Sequence, residues 1–252
     1  MDITTDITIL IPARIDCSER KQNLDAVLSF FLQQTHASLI VLEADSESKI
    51  ILPQTERLTH VYIKDADPIF HRTRYLNKLM QMAFTDIVGI WDTDVLIPTE
   101  QIIASANHIT EGNVMSFPYN GKFIFLNSTK SDVARRDFNS FHTNYISGSD
   151  PVIKHSVGGA FLVNRSTYLA AGGENEAFYG WGSEDIERVK RMEILELPVN
   201  RVEGCLYHLH HPRGINSTSQ GDEREIKNLK ALLNTCRMNK QQMKDYIENK
   251  MK

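Results

Sequence analysis

Residues 86–98 read DIVGIWDTDVLIP: an apolar, β-rich run over 86–91 that ends directly on Asp92, Thr93 and Asp94. An unbroken apolar run of this length reads as a strand buried on both faces, as in a parallel sheet. In open α/β sheets, ligands bind beyond the carboxyl ends of the strands, where this Asp-x-Asp falls. Two carboxylates at i and i+2 on extended chain point the same way and can share one hard cation. Such a pair suits Mg²⁺ or Mn²⁺, and through the ion a diphosphate. Alone, Asp-x-Asp is a common turn or helix cap. The strand running straight into it, with Val95-Leu96-Ile97-Pro98 beyond, lifts it above that background.

The same grammar extends outward. Apolar runs at 7–12 (ITILIP), 38–43 (SLIVLE) and 58–64 (LTHVYIK) are strand candidates. Between them, 18–34 is helical, with Leu24, Val27, Leu28 and Phe31 on one face and Ser18 placed to cap it. Leu76, Leu79, Met80 and Ala83 mark a second helix before the 86–91 strand. The order strand, helix, strand, strand, helix, strand predicts a single-domain α/β fold, Rossmann-like, with a mostly parallel central sheet flanked by helices. Downstream, 101–109 reads as helix, 114–117, 123–126 and 159–163 as strands, 139–155 as a long polar loop, and a further helix starts at Ser183. From Asp222, Ile226, Leu229, Leu233 and Cys236 recur at helical spacing, giving a C-terminal amphipathic helix. The expected division is a domain over 1–215 and a helical extension over 216–252, packed on the domain or projecting from it.

Composition narrows the class. The chain has 252 residues, 28 Lys+Arg against 32 Asp+Glu and 41% hydrophobic residues, as a globular protein with a substantial core has. A net charge of -4 leaves no general basic footprint, which argues against nucleic acid as a partner. Three scattered cysteines make no disulfide framework, and neither a signal peptide nor an apolar run of about 20 residues is evident. These features point to a cytoplasmic protein, with the C-terminal helix as a site of peripheral contact with the inner face of the membrane or with another copy.

Three further constellations carry chemistry. In Phe178-Tyr-Gly-Trp-Gly-Ser-Glu-Asp185, Ser183 can cap a helix whose first turn holds Glu184 and Asp185, where the helix dipole favours carboxylates. That alone is a well-capped acidic helix start, but it leaves unexplained the two glycines flanking Trp181, which suit an exposed ring able to hold a sugar face. His208, His210 and His211 fall within four residues; they can form a zinc site, complete the aspartate-held ion, or make a polar cluster. Finally, Arg14 in Ile-Pro-Ala-Arg and Phe70 and Arg72 in Ile-Phe-His-Arg can meet phosphate and base.

Together these motifs resemble the nucleotide-sugar glycosyltransferases of the GT-A fold, above all the β-1,4-galactosyltransferase family and the bacterial capsule-type enzymes that share its C-terminal half. The resemblance rests on IPAR (11–14), DPIFHRTRYLNKLMQMAF (67–84), WDTDVLIP (91–98) and, most specifically, GGAFLVNRSTYLAAGGENEAFYGWGSEDIE (158–187). It implies an inverting transfer of a hexose from a UDP-sugar to a saccharide, in surface-polysaccharide synthesis. Pro12, Arg14, Phe70, Arg72, Asp92, Thr93, Gly159 and Glu184 would bind the donor nucleotide and sugar, with Phe70 and Arg72 at the uracil. Trp181, Gly182 and Asp185 would meet the acceptor, with Asp185 as the base. Asp94, His208 and His211 would hold Mn²⁺ or Mg²⁺, His208 standing where the animal enzymes have Met and His210 being an alternative ligand. Ser156 replaces a Tyr that crowds the donor's 2-position in the animal family, so UDP-GalNAc is expected to be accepted beside UDP-Gal. The competing expectations are a metal-dependent nucleotide-sugar hydrolase or phosphoesterase and a non-catalytic sugar-nucleotide-binding module. The 139–155 segment and the glycine-flanked Trp181 loop are the expected lid over the donor.

Overall fold

The computed structural model describes residues 3–218 and 223–251. Its first half follows the predicted alternation: β1 Ile7–Ala13, α1 Ser18–Gln34, β2 Ser38–Asp45, β3 Leu58–Lys64, α2 Arg72–Met82 and β4 Ile87–Trp91. These four strands pair in parallel in the order β4-β1-β2-β3. β1 and β4 are buried along their whole length, as their unbroken apolar sequences require. Helix α1 buries Leu24, Val27, Leu28 and Phe31 against the sheet, and Phe31 meets Trp91 edge-on at 5.0 Å. Ser18 does not cap this helix: Cys17 occupies the N-cap position with no side-chain bond, and Ser18 is already helical.

The second half breaks the parallel pattern. After β5 Val95–Leu96, α3 Thr99–Thr110 and β6 Met115–Phe117, the chain forms β7 Lys122–Phe125, α4 Ser128–Arg136, α5 Phe138–Thr143, β8 Val152–Ile153 and β9 Ala160–Asn164. β9 inserts antiparallel between β4 and β6, and β10 Val199–Arg201 adds to β6, completing a seven-stranded sheet. A smaller sheet runs β5-β11-β7-β8, with β11 spanning Cys205–His208. The 139–155 stretch is therefore not one long loop, since α5 and β8 occupy much of it. The sequence pattern missed α4, α5 and also α6 Arg165–Ala170 because they are too short to show a helical period. Asn127, Asp137 and Asn164 nonetheless cap them, accepting from the backbone N–H of Lys130, Ser140 and Thr167.

Helix α7 Glu184–Ile194 carries the acidic motif, and α8 Glu223–Arg237 packs beside it, followed by α9 Lys240–Tyr246 and a π turn over Ile247–Met251. The expected start of the terminal helix, Asp222, lies outside the described residues. Its amphipathic reading is corrected in one respect: Ile226, Leu229, Leu233 and Cys236 face outward, whereas Asn228 and Thr235 are buried against the domain. The packing face is polar because it meets backbone amides and Glu187: the Thr235 hydroxyl lies 3.4 Å from Glu187 Oε1. Among the described residues no helix is long and apolar enough to cross a membrane.

Candidate active site

Sheet register brings the histidines to the aspartate. His208 ends β11 and stands opposite Val95 in β5, so it lies beside Asp94, and the Leu209 N–H donates to the Asp94 carbonyl at 2.8 Å. Asp94 Oδ1 is 3.4 Å from His208 Nε2, and Oδ2 is 3.2 Å from His211 Nε2. The three groups offer ligand atoms within 4.8 Å of one another. One carboxylate and two imidazoles fit a divalent ion of intermediate hardness such as Mn²⁺. His210 is not part of the cluster: it is exposed, its N–H donates to Ser131 Oγ and its carbonyl accepts from Asn23.

The electrostatics are those of a cation site. Burial opposes ionisation of Asp94, but His208, His211 and Arg20 outweigh it and hold the carboxyl well below its usual range. Burial pushes the His208 imidazole down to about 4, leaving it neutral and able to ligate. His211 moves the other way, because its hydrogen bond to Asp94 overcomes burial. Arg20 was not foreseen. From the first turns of α1 it donates to Asp94 Oδ2 at 3.0 Å, while its Nη2 stands 3.3 Å from His211 Nδ1. It therefore balances the aspartate's charge in the protein as described. We expect His208→Ala to weaken Mn²⁺ binding by at least about tenfold and His210→Ala to leave it unchanged, as read by calorimetric titration.

The second cluster reaches the first through the Gly158-Gly159 corner. The Asp92 N–H donates to the Gly159 carbonyl at 2.9 Å, tying the end of β4 to the start of β9. A Cβ at Gly158 would lie 2.5 Å from Asp185 Oδ2, so any larger residue there would displace that carboxylate. Asp185 thus packs against the residue next to the one that holds Asp92. Arg188, one turn further along α7, donates to Asp185 Oδ1 at 2.7 Å and is itself clamped by buried Glu174, with its guanidinium 4.3 Å from the Phe161 ring. Arg188 and Glu174 were missed, although the i, i+3 spacing of Asp185 and Arg188 is visible in the sequence.

Glu184 and Arg72 complete this side. Glu184 Oε2 and Arg72 Nη1 are buried and have no hydrogen-bond partner among the described residues. Burial and the neighbouring Asp185 push the Glu184 carboxyl up to about 7. Buried polar atoms of this kind are satisfied by water or by a polar ligand. Because the folded value lies above the ordinary one of 4.5, the protonated form's contribution to stability is full below that value and is lost as pH rises through about 7. Glu184→Gln is therefore expected to be more stable than the parent at pH 8, by roughly 2 kcal/mol, and no more stable below the ordinary carboxyl range. Urea unfolding at the two pH values checks this.

Arg72 donates to Asp92 Oδ1 at 2.6 Å and lies among the carboxylates of Asp92, Asp185 and Glu184. All three guanidinium nitrogens of Arg14 bond within the protein, to Ala44, Asp67 and Asp65, while Phe70 lies 5.2 Å from its guanidinium and stacks on Tyr75. Pro12 and Thr93 are buried at the ends of β1 and β4. Asp92 is crowded by Asp94 and Asp185, and with burial they raise its carboxyl despite Arg72. The Tyr119 hydroxyl donates to the Gly158 carbonyl at 2.6 Å, and Ser156 Oγ lies 3.3 Å from the same hydroxyl.

The Trp181 loop leads into α7 through Gly180, Gly182 and Ser183, all at positive φ. Ser183 does not cap α7 by its side chain; at φ 72° it is left-handed, a conformation that costs a non-glycine residue about 1 kcal/mol. The indole is 48% exposed. Buried Asn228 holds the loop, accepting from the Tyr179 N–H at 3.3 Å and donating to the carbonyls of Tyr179 and Gly182 at 3.1 and 3.5 Å. Asn228→Ala is expected to expose the indole further, seen as increased iodide quenching of Trp181 fluorescence over the buried Trp91.

A sequence profile described as the N-terminal domain of galactosyltransferase matches residues 147–212, which take in β8, the Gly-Gly corner, α7 and the three histidines His208, His210 and His211. No curated protein matches the chain closely enough to count as a relative. Among solved structures, a mutant Drosophila β1,4-galactosyltransferase 7 in complex with manganese, UDP-Gal and xylobiose is similar at TM-score 0.52 and 19% identity, over 88% of this chain and 78% of that one. Glucosyl-3-phosphoglycerate synthase from Mycobacterium tuberculosis, with Mn²⁺, UDP-glucose and phosphoglyceric acid, aligns at TM-score 0.55 and 14% identity over 93% and 82%. GalNAc-T7 with UDP, GalNAc and Mn²⁺ gives TM-score 0.58 and 10% identity over 90% and 47%. This is the GT-A glycosyltransferase fold. In it, the Asp92–Asp94 motif directly follows β4, and β9, within the galactosyltransferase-like segment, pairs antiparallel with β4.

Proposed function

We propose that the chain is a metal-dependent glycosyltransferase that moves a hexose, Gal or GalNAc, from a UDP-sugar to a saccharide hydroxyl with inversion at the anomeric carbon. The observation that carries this reading is the meeting of two clusters, Asp94–His208–His211 and Glu184–Asp185–Arg72, across the Gly158-Gly159 corner. The manganese and UDP-sugars named with the structures of like fold support the same pair of ligands here. Asp94, His208 and His211 would hold the ion, which would supply charge compensation for a leaving diphosphate.

The chain's own residues do the rest. Asp185, fixed by Arg188, takes the proton of the acceptor hydroxyl as that oxygen attacks the sugar. Glu184 and Arg72 offer unsatisfied polar atoms to sugar hydroxyls, and Trp181 offers an exposed ring to a saccharide face. Ser156, small and tied to Tyr119, supports acceptance of a donor with a 2-N-acetyl group. The likeness of its motifs to capsule-type enzymes supports a cytoplasmic role in bacterial surface-polysaccharide synthesis.

The test is UDP release from UDP-Gal, UDP-GalNAc, UDP-Glc and UDP-GlcNAc with Mn²⁺, with and without saccharide acceptors, and NMR of the product anomer. Acceptor-stimulated release with Gal or GalNAc donors and a β-linked product is expected. Full-rate release without acceptor would make the protein a hydrolase; UDP binding with no turnover on any acceptor would make it a binding module.

A further inference from the structure

Helix α8 has two unlike faces. Its inner face, through Asn228 and Thr235, is buried against the Trp181 loop and α7. On its outer face Ile226, Leu229 and Leu233 remain 54%, 50% and 46% exposed. At 3.6 residues per turn these three lie within about 60° of one another, and Lys230 and Arg237 border the strip on one side. From Ile226 to Arg237 the exposed residues carry three cations, Lys227, Lys230 and Arg237, and no carboxylate. The acids of this helix, Glu223 and Glu225, are confined to its first turn. Among the described residues no carboxylate pairs with the three cations. In a chain of net charge -4 the strip is thus a local concentration of positive charge edged onto aliphatic surface.

We infer that the outer face of α8 docks on an anionic membrane surface, with the aliphatic side chains at the acyl boundary and the cations among the headgroups. This is the pattern by which an amphipathic helix lies in the membrane interface. A second copy fits less well, because a two-fold interface would set the same cations against each other. Asn228 on the opposite face ties α8 to the Trp181 loop, so docking would carry that loop to the lipid surface.

Vesicle co-sedimentation of the full chain tests this, with phosphatidylcholine alone and with phosphatidylcholine mixed with phosphatidylglycerol. Binding to the anionic vesicles only, weakened by high salt, is expected. Lys227→Glu with Lys230→Glu should lower the partition coefficient more than about tenfold. Leu229→Ser with Leu233→Ser should lower it by about tenfold. UDP binding and UDP release with a soluble acceptor should stay unchanged in both variants, which separates this inference from the proposed reaction. If the serine variant fails to fold, the charge-reversal variant, altered only at exposed positions, carries the test. Equal binding to neutral vesicles, no binding to either, or a dimer dissolved by the serine substitutions would each overturn the inference.

Discussion

Asp94→Ala is expected to abolish the manganese-dependent part of UDP binding, with Mn²⁺ affinity reduced by at least about 100-fold. Asp94 is the only anionic ligand in a cluster whose other members are imidazoles. Losing even an outer partner of a metal ligand costs 10–100-fold, and losing the ligand itself costs more. The measurement is calorimetric titration of UDP with Mn²⁺ and with a chelator. Unchanged manganese-dependent binding would move the ion away from Asp94, His208 and His211. The substitution also deprives Arg20 of one of its two carboxylate partners, leaving Asp16 at 2.9 Å. Arg20 is only partly enclosed and keeps that partner, so the fold should survive and binding remain measurable.

Asp185→Asn should leave UDP binding intact while lowering transfer by about 10²–10⁴-fold, the usual contribution of a positioned base. The asparagine carbonyl still accepts from Arg188, so the side chain keeps its place against Gly158 and loses only the ability to take a proton. Single-turnover transfer measured beside UDP affinity separates the two effects. Near-normal turnover would remove Asp185 from the base role. Loss of UDP binding in parallel would make it a structural anchor instead.

Much of this was written in the sequence. The first half of the fold follows from uncharged runs and one amphipathic face, since a parallel sheet buries its strands completely and leaves the pattern little latitude. The grouping of Asp94 with His208 and His211 needed more than local pattern, because it depends on β11 pairing with β5 across more than a hundred residues. Three histidines in a four-residue run left open which of them meet Asp94. Strand geometry decides it: His208 ends β11 beside Val95, while the chain that follows turns His210 outward and His211 back in. The short helices α4 to α6 stayed hidden because six to nine residues are too few to establish an apolar period, and their side-chain caps read equally as turns. Nothing in the local sequence pattern singles out Arg20 or Arg188; each is the fixed counterion of a candidate functional carboxylate. On α8 the apolar period was real, but it marked the face left open, because the docked face answers backbone amides with Asn228.

The placement of β9 has a consequence for how the protein is made. During synthesis β1 to β4 leave the ribosome first and can pair at once, yet one margin of β4 stays bare until some seventy further residues have been translated and β9 can slot in beside it. A bare strand margin invites pairing with other nascent chains. The molecule therefore passes through an interval in which its parallel half is built but adhesive, and chaperone capture or low expression temperature should matter most in that window.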